Sequence, residues 1–296
     1  DRAAGLMQSE GAALALADAR SFALATAQGA TPDAASVPGL LAPHAGAQAA
    51  AAAWFDAGHF RDQLAARVRV PTTSEEGSAD ALDAYLVQQM EPALQAMGFH
   101  CERLANPLAG QPPFLLAERI ESPTLPTLLS YGHGDVVRGQ EASWRSGLNP
   151  WVLQVEGDRW YGRGTADNKG QHSINLAALA QVIAARGGRL GYNVKLLLEM
   201  GEEVGSPGLR ELCAAQAERL RADLFLASDG PRLHAESPTL FLGSRGIANF
   251  TLRLRSRERA YHSGNWGGVL TNPAVRVAHA IPSLIGPHGQ IQVDAL

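Results

Sequence analysis

The chain has 296 residues, 46% of them hydrophobic, which is enough apolar material for one large core or two smaller ones and too much for a natively disordered polymer. Lys+Arg 25 against Asp+Glu 29 give a formal net charge of -4, so no basic stripe neutralises phosphates, and small molecules rather than nucleic acid are the expected partners. The two cysteines, Cys101 and Cys213, lie too far apart in sequence for a CxxC zinc knuckle or a disulfide framework and read as buried thiols.

Residues 1–50 are rich in Ala, Gly and Pro with little periodicity and read as a loose leader of no assigned role. This segment lacks the basic start and apolar middle of a signal peptide, and no stretch approaches the roughly 20 apolar residues that span a bilayer. A cytoplasmic protein with no membrane anchor is expected. From residue 51 apolar strands alternate with helical stretches. Leu82, Leu86, Met90, Ala93 and Met97 recur on one face, which predicts a helix over 78–97 that Pro92 must kink or restart. Short apolar runs at 125–131, 194–199 and 224–227 read as fully buried strands, and Leu176, Leu179 and Ile183 predict a helix ending before Gly187-Gly188. The alternation predicts an α/β sheet covered by helices over residues 51–243. Beyond a boundary near Gly243 to Gly246 the texture changes. Phe250, Leu252 and Leu254 alternate with Thr251, Arg253 and Arg255, the pattern of a strand with one wet face and the start of a second, antiparallel domain over 244–296. There, Val275, Val277 and Ala278 after Asn272 read as core.

Chemistry-bearing residues cluster where the strands end. Tyr131-Gly132-His133-Gly134-Asp135 follows the first strand, Glu199-Met200-Gly201-Glu202-Glu203 the second and Ser228-Asp229-Gly230-Pro231 the third. A fourth loop, Gly162 to Gly170, carries Asp167 into the helix of Leu176. Ligands of open α/β sheets bind outside the carboxyl ends of the strands, so these loops should converge on one crevice. Taken singly, His-x-Asp reads as a surface pair, Glu-Glu as a solvated helix start and Asp-Gly-Pro as a turn. Placed together after apolar strands they read differently. Crowded carboxylates repel unless a cation sits between them, and oxygen and imidazole donors without thiolates suit zinc, manganese or cobalt.

His133-Gly134-Asp135, Trp144 followed by Tyr161-Gly162-Arg163-Gly164-Thr165-Ala166-Asp167-Asn168-Lys169-Gly170, Glu202-Glu203 and Asp229-Gly230 resemble the successive signatures of one family. It is the co-catalytic zinc metallopeptidase family of carnosinase and cytosolic dipeptidase, glutamate carboxypeptidase, aminoacylase, acetylornithine deacetylase and succinyl-diaminopimelate desuccinylase. The likeness covers roughly residues 54 to 296. It implies a mixed, mainly parallel sheet flanked by helices, with an inserted α+β lid and dimerisation domain that is incomplete at Leu296. It also implies two zinc ions per complete subunit, manganese or cobalt being alternatives. His133 and Asp229 would be terminal ligands of one metal, Asp167 would bridge both, and Glu203 would hold the second. Among the catalytic residues, Glu202 would be the general base and Asp135 would accept a hydrogen bond from the His133 ring. The third, His262 in Tyr261-His262-Ser263-Gly264, would reach across a homodimer to stabilise the oxyanion. A cis peptide would join Asp167 to Asn168, which replaces the aspartate of many relatives as a tolerated variation.

The activity so implied is hydrolysis of a dipeptide, peptide or N-acyl amino acid amide. Trp144 and the span His262 to Gly268 lean towards the carnosinase branch. The remaining histidine of the second metal would lie outside the 296 residues, so the chain alone is expected to hold at most one tightly bound zinc with negligible turnover. Two contrasting readings are a noncatalytic relative of the same fold, which has no need of Glu202, and a nucleotide-binding protein, for which Gly162-x-Gly164 lacks the rest of its pattern. His44, His59, His100, His172, His234, His279 and His288 match no motif.

Overall fold

The computed structural model describes residues 47–76, 79–230, 239 and 251–293. Helices α1 (Ala47–Asp56), α2 (His59–Val68) and α3 (Ala79–Tyr85) lead into a π turn at Leu86–Met90 and α4 (Glu91–Ala96). Strands β1 (His100–Leu104), β2 (Phe114–Arg119) and β3 (Thr127–His133) follow, then a short ribbon of β4 (Gln154–Glu156) and β5 (Arg159–Tyr161). Helix α5 (Lys169–Ala185), β6 (Asn193–Glu199), α6 (Leu209–Ala215) and β7 (Leu224–Ala227) complete the first part. Later come α7 (Ser263–Trp266) and α8 (Pro273–Leu284). The chain divides into two compact units, residues 1–241 and 242–296.

In the first unit the sheet runs β1-β2-β6-β3-β7. It is mixed and flanked by helices, as the family likeness implied: β1 and β2 pair antiparallel towards β6, while β6, β3 and β7 are parallel. Period-two alternation sends the side chains of β2 and β6 to both faces. Leu115, Ala117, Val194, Leu196 and Leu198 pack with Leu82, Tyr85, Leu86, Met90 and Leu94 on one face, whereas Phe114, Leu116 and Leu197 meet Leu104 and Leu212 on the other. Both faces are therefore dry, which accounts for the nearly continuous apolar run of β6. A third cluster of Phe60, Leu64, Val68 and Ala177 fastens α2 to α5.

The helix expected over 78–97 is present but divided. Pro92, which has no N–H to give, sits in the first turn of α4, and the π turn before it widens the ladder so that Met90 and Leu94 stay buried on the face of Leu82 and Leu86. The strands at 125–131 and 224–227 are not fully buried: Leu128, Leu129 and Tyr131 are half-buried, and β7, the last strand of the sheet among the described residues, leaves Phe225 57% exposed. Nor are the thiols fully buried: Cys101 and Cys213 are free and of intermediate exposure, each packed against the edge of a core cluster. Of the leader, only residues 47–50 are described, and they open α1.

In the second unit, Asn272 Oδ1 accepts the Ala274 N–H at 2.9 Å and Pro273 starts α8, a helix entry written in the sequence. Phe250 and the Gly243 to Gly246 boundary lie outside the described residues. Residues 251–256 form no strand; a strand needs a neighbour for its ladder, and none pairs with them among the described residues. Val275 is 51% exposed and Ala278 is exposed as well, so this part of α8 is not core. Among the described residues no helix is long and apolar enough to cross a membrane.

Candidate metal centre

Parallel pairing brings the carboxyl ends of β6, β3 and β7 to one edge of the sheet. His133 and Glu199 are register partners, as are Tyr131 and Ala227 one strand over, so the loops bearing His133, Glu202 and Asp229 start side by side. The Asp167 loop is tied down separately. Gly170 N–H donates to Gly164 O at 2.9 Å, Arg163 N–H to Pro150 O at 2.7 Å, and Thr165 Oγ1 to Gly162 O at 2.9 Å. Lys169, fully buried, sends Nζ to Val70 O at 2.7 Å and Arg67 O at 3.1 Å and so anchors the start of α5 to the end of α2.

His133 sits at the middle of the cluster with no exposed surface. Its Nε2 is 3.0 Å from Asp167 Oδ1, 3.8 Å from Asp229 Oδ2 and 3.9 Å from Glu202 Oε2. One donor atom from each of His133, Asp167 and Asp229 lies within 4.8 Å of the others, the arrangement a single cation could occupy. Glu203 is outside that trio. The peptide joining Asp167 and Asn168 is cis.

Asp135 turns out to hold more than one neighbour. His133 Nδ1 is 3.1 Å from the Asp135 backbone carbonyl and 3.4 Å from its carboxylate, so the carbonyl is the nearer acceptor. Donation from Nδ1 orients the ring so that Nε2 faces the carboxylate cluster, where with a metal bound its lone pair would serve as a ligand. The buried Asp135 carboxylate also accepts Ser74 Oγ at 2.8 Å and the backbone N–H groups of Glu202 at 3.2 Å and Glu203 at 3.1 Å. It thereby fixes the whole Glu202–Glu203 turn.

The electrostatics are those of a site short of positive charge. Burial alone would lower the His133 pKa, yet hydrogen bonds to Asp135, Asp167 and Asp229 push it up to about 12. The hydrogen bond from His133 holds Asp229 below the usual carboxylate range. Burial, followed by repulsion from Asp229, Asp135 and Asp167, raises Glu202 against the pull of His133. Glu203 is raised by burial and by Asp167. A proton on His133 is doing what a divalent cation would do better, and the donor set fits zinc.

The layer behind these groups escaped the sequence motifs. His172, assigned to none of them, is 2% exposed; its Nδ1 is 3.0 Å from Asn168 Oδ1 and its Nε2 2.6 Å from the Tyr85 hydroxyl. Burial, then Arg67, His133 and Lys169, hold His172 well below the ordinary imidazole range, so it is neutral. Its place at the first turn of α5, four residues after Asn168, was the available signal. Glu199, also buried, accepts Tyr131 Oη at 2.5 Å and Ser206 Oγ at 2.9 Å. Trp144 Nε1 donates to Gly139 O at 2.7 Å, and the Arg163 guanidinium lies 5.7 Å over its ring. His262 belongs to the second unit, where its Nδ1 accepts the Gly264 N–H at 3.1 Å and caps α7.

Known proteins resemble this chain in sequence and in fold. A Beta-Ala-His dipeptidase from Rattus norvegicus is 34% identical over 188 residues, which cover 62% of this chain and 38% of that protein. A Cysteinylglycine-S-conjugate dipeptidase from Corynebacterium striatum is 36% identical over 173 residues, covering 58% and 37%. The crystal structure of human carnosine dipeptidase 1 superposes with a TM-score of 0.63 at 27% identity, over 81% of this chain and 53% of that one. The chain thus spans about two fifths to one half of the length of the relatives it matches. With the family model for Peptidase family M20/M25/M40 matching residues 129–281, just over half of the chain and all four acidic loops, this chain belongs to that family.

Proposed function

We propose that a protein carrying this chain is a metal-dependent hydrolase that cleaves the amide bond of a dipeptide, and that zinc is its metal. The trio of His133, Asp167 and Asp229 donor atoms within 4.8 Å, with Glu202 Oε2 3.9 Å from His133 Nε2, carries the reading. Asp167 would bridge two ions and Glu203 would serve the second. Zinc held there supplies a Lewis acid for the scissile carbonyl and acidifies water. Glu202 takes the proton of the attacking water and hands it to the leaving amine, a role to which its raised pKa is suited. Asp135 orients both the His133 ring and the backbone of Glu202 and Glu203. His262 stabilises the oxyanion, supplied by the second protomer of a homodimer.

Two relatives bearing dipeptidase names favour dipeptides over N-acyl amino acids as substrates. Free thiols at Cys101 and Cys213 fit a reducing compartment such as the cytoplasm. The test is metal analysis by mass spectrometry on the whole protein that carries this chain, together with a hydrolysis screen of dipeptides and N-acyl amino acids. Stoichiometric zinc and dipeptide turnover are expected; a metal-free protein with no turnover after zinc addition refutes the proposal.

A further inference from the structure

Asn168 stands at the N-cap of α5, where an asparagine side chain ordinarily accepts a backbone N–H of the first turn. It makes no capping bond. The side chain turns inward instead and is 1% exposed. Its Oδ1 accepts the His133 backbone N–H at 3.3 Å and faces His172 Nδ1 at 3.0 Å. Its Nδ2 donates to Asp229 Oδ1 at 3.1 Å, Ser228 O at 3.3 Å and Gln171 Oε1 at 2.9 Å. The orientation of this amide follows from its neighbours. A backbone N–H can only donate, so the atom facing His133 is the oxygen and the amino end faces Asp229.

The same constraint extends one shell further out. His172 Nδ1 must donate to Asn168 Oδ1, so in the neutral ring Nε2 is the acceptor and the Tyr85 hydroxyl, 2.6 Å away, is the donor. Tyr85 is fully buried, and His172 is the only hydrogen-bond partner of its hydroxyl among the described residues. An imidazolium would leave the Tyr85 O–H buried without an acceptor, which is costly. Gly132 admits this packing, since a Cβ there would stand 3.1 Å from Asn168 Oδ1 and 3.2 Å from His172 Cβ.

We propose that Tyr85, His172 and Asn168 form an uncharged relay that orients the Asp229 carboxylate for its metal, with His172 as a positioning residue locked in the Nδ1–H tautomer. This rests on the reading of Asp229 as a ligand. Asparagine at 168 is then more than a tolerated variation. An aspartate has no N–H to give and would set a second carboxylate against Asp229.

Two substitutions separate the ring nitrogens. In His172→Asn the amide reaches where Nδ1 stood and keeps a donor for Asn168; in His172→Gln it reaches where Nε2 stood and keeps only the Tyr85 contact. Co(II) affinity by chelator competition, the Co(II) d–d spectrum and the unfolding midpoint of the metal-free protein are measured for both, beside Asp229→Ala. Loss of a group that orients a ligand lowers metal affinity by about 10- to 100-fold. The expected result is that loss and an altered spectrum for His172→Gln, and a clearly smaller loss for His172→Asn, which gives up the Tyr85 contact but keeps the donor to Asn168, even if the two unfold alike. Equal affinities for the two variants overturn the relay. Unchanged affinity in Asp229→Ala overturns instead the ligand reading beneath it. The tautomer is tested without any substitution by ¹⁵N NMR of the metal-free protein: a bare Nε2 on His172 is expected, and a protonated Nε2 refutes the proposal.

Discussion

Glu202 and Glu203 are neighbours in the chain, share a turn held by Asp135, and face opposite demands. A ligand must be anionic and fixed, whereas a general base must be free to gain and lose a proton. Only Glu202 stands against the His133 ring, at 3.9 Å, and its carboxyl is raised by burial and three acidic neighbours. In the whole protein that carries this chain, Glu202→Gln keeps the size and removes the basicity. It should leave the zinc content at the wild-type level and lower kcat by about 10²- to 10⁴-fold, as loss of a general base does. Atomic absorption and steady-state kinetics on the same preparation check this, and undiminished turnover removes Glu202 from the role. Asp167→Ala should act in the opposite order, releasing metal first, because Asp167 is the nearest carboxylate to His133 Nε2 and the expected bridge. Residue identities at the strand ends were legible from sequence because each stands beside a glycine or another acid in a fixed order. Tyr85 and His172 were not, since one reads as a core aromatic and the other as a helix residue. Only the fold shows that their polar atoms meet behind Asn168.

At the scale of elements, what positions the site is where three parallel strands stop and one loop turns. The strands were readable as apolar runs, most plainly β6, whose two faces are both covered. β1 gave no such signal: His100, Cys101, Glu102 and Arg103 alternate no apolar face, and the strand exists because β2 offers it a ladder. The 251–256 segment shows the converse, a period-two pattern with no partner strand among the described residues. The Asp167 loop depends on glycine for a reason of space. A Cβ on Gly170 would collide with the Thr165 carbonyl, a backbone group that cannot rotate away. Gly170→Ala should therefore cost about 3 kcal/mol, the upper end of what overpacking typically costs, and weaken Co(II) binding by displacing Asp167. Gly188→Ala is the control. Gly188 has φ +92° with nothing within 4 Å of the added carbon, so only backbone strain of about 1 kcal/mol is expected there, with metal affinity unchanged. Urea midpoints and chelator competition on both variants read the difference. Equal effects on metal binding would dissociate the loop from the site.

On the scale of the whole molecule, the division into units 1–241 and 242–296 separates the functions assigned to them. Every candidate ligand, and Glu202, belongs to the first unit; His262 belongs to the second, exposed at the start of α7. We propose that His262 acts on the partner protomer's site, which makes each site composite: metal loops from one chain, oxyanion donor from the other. Such a site can be complemented. Protomers bearing Glu202→Gln lack the base but carry an intact His262, and protomers bearing His262→Ala lack the donor but keep an intact Glu202. In a mixed dimer, one site combines the intact Glu202 of one chain with the intact His262 of the other, while the second site has neither. Random mixing of equal amounts leaves half of the dimers mixed, each with one working site of two. The mixture should thus recover about one quarter of wild-type kcat per protomer from two preparations that are nearly inactive alone. Subunit exchange is verified first with protomers carrying different affinity tags. Recovery near that level establishes action in trans; exchange without recovery places His262 in its own chain's site or outside catalysis.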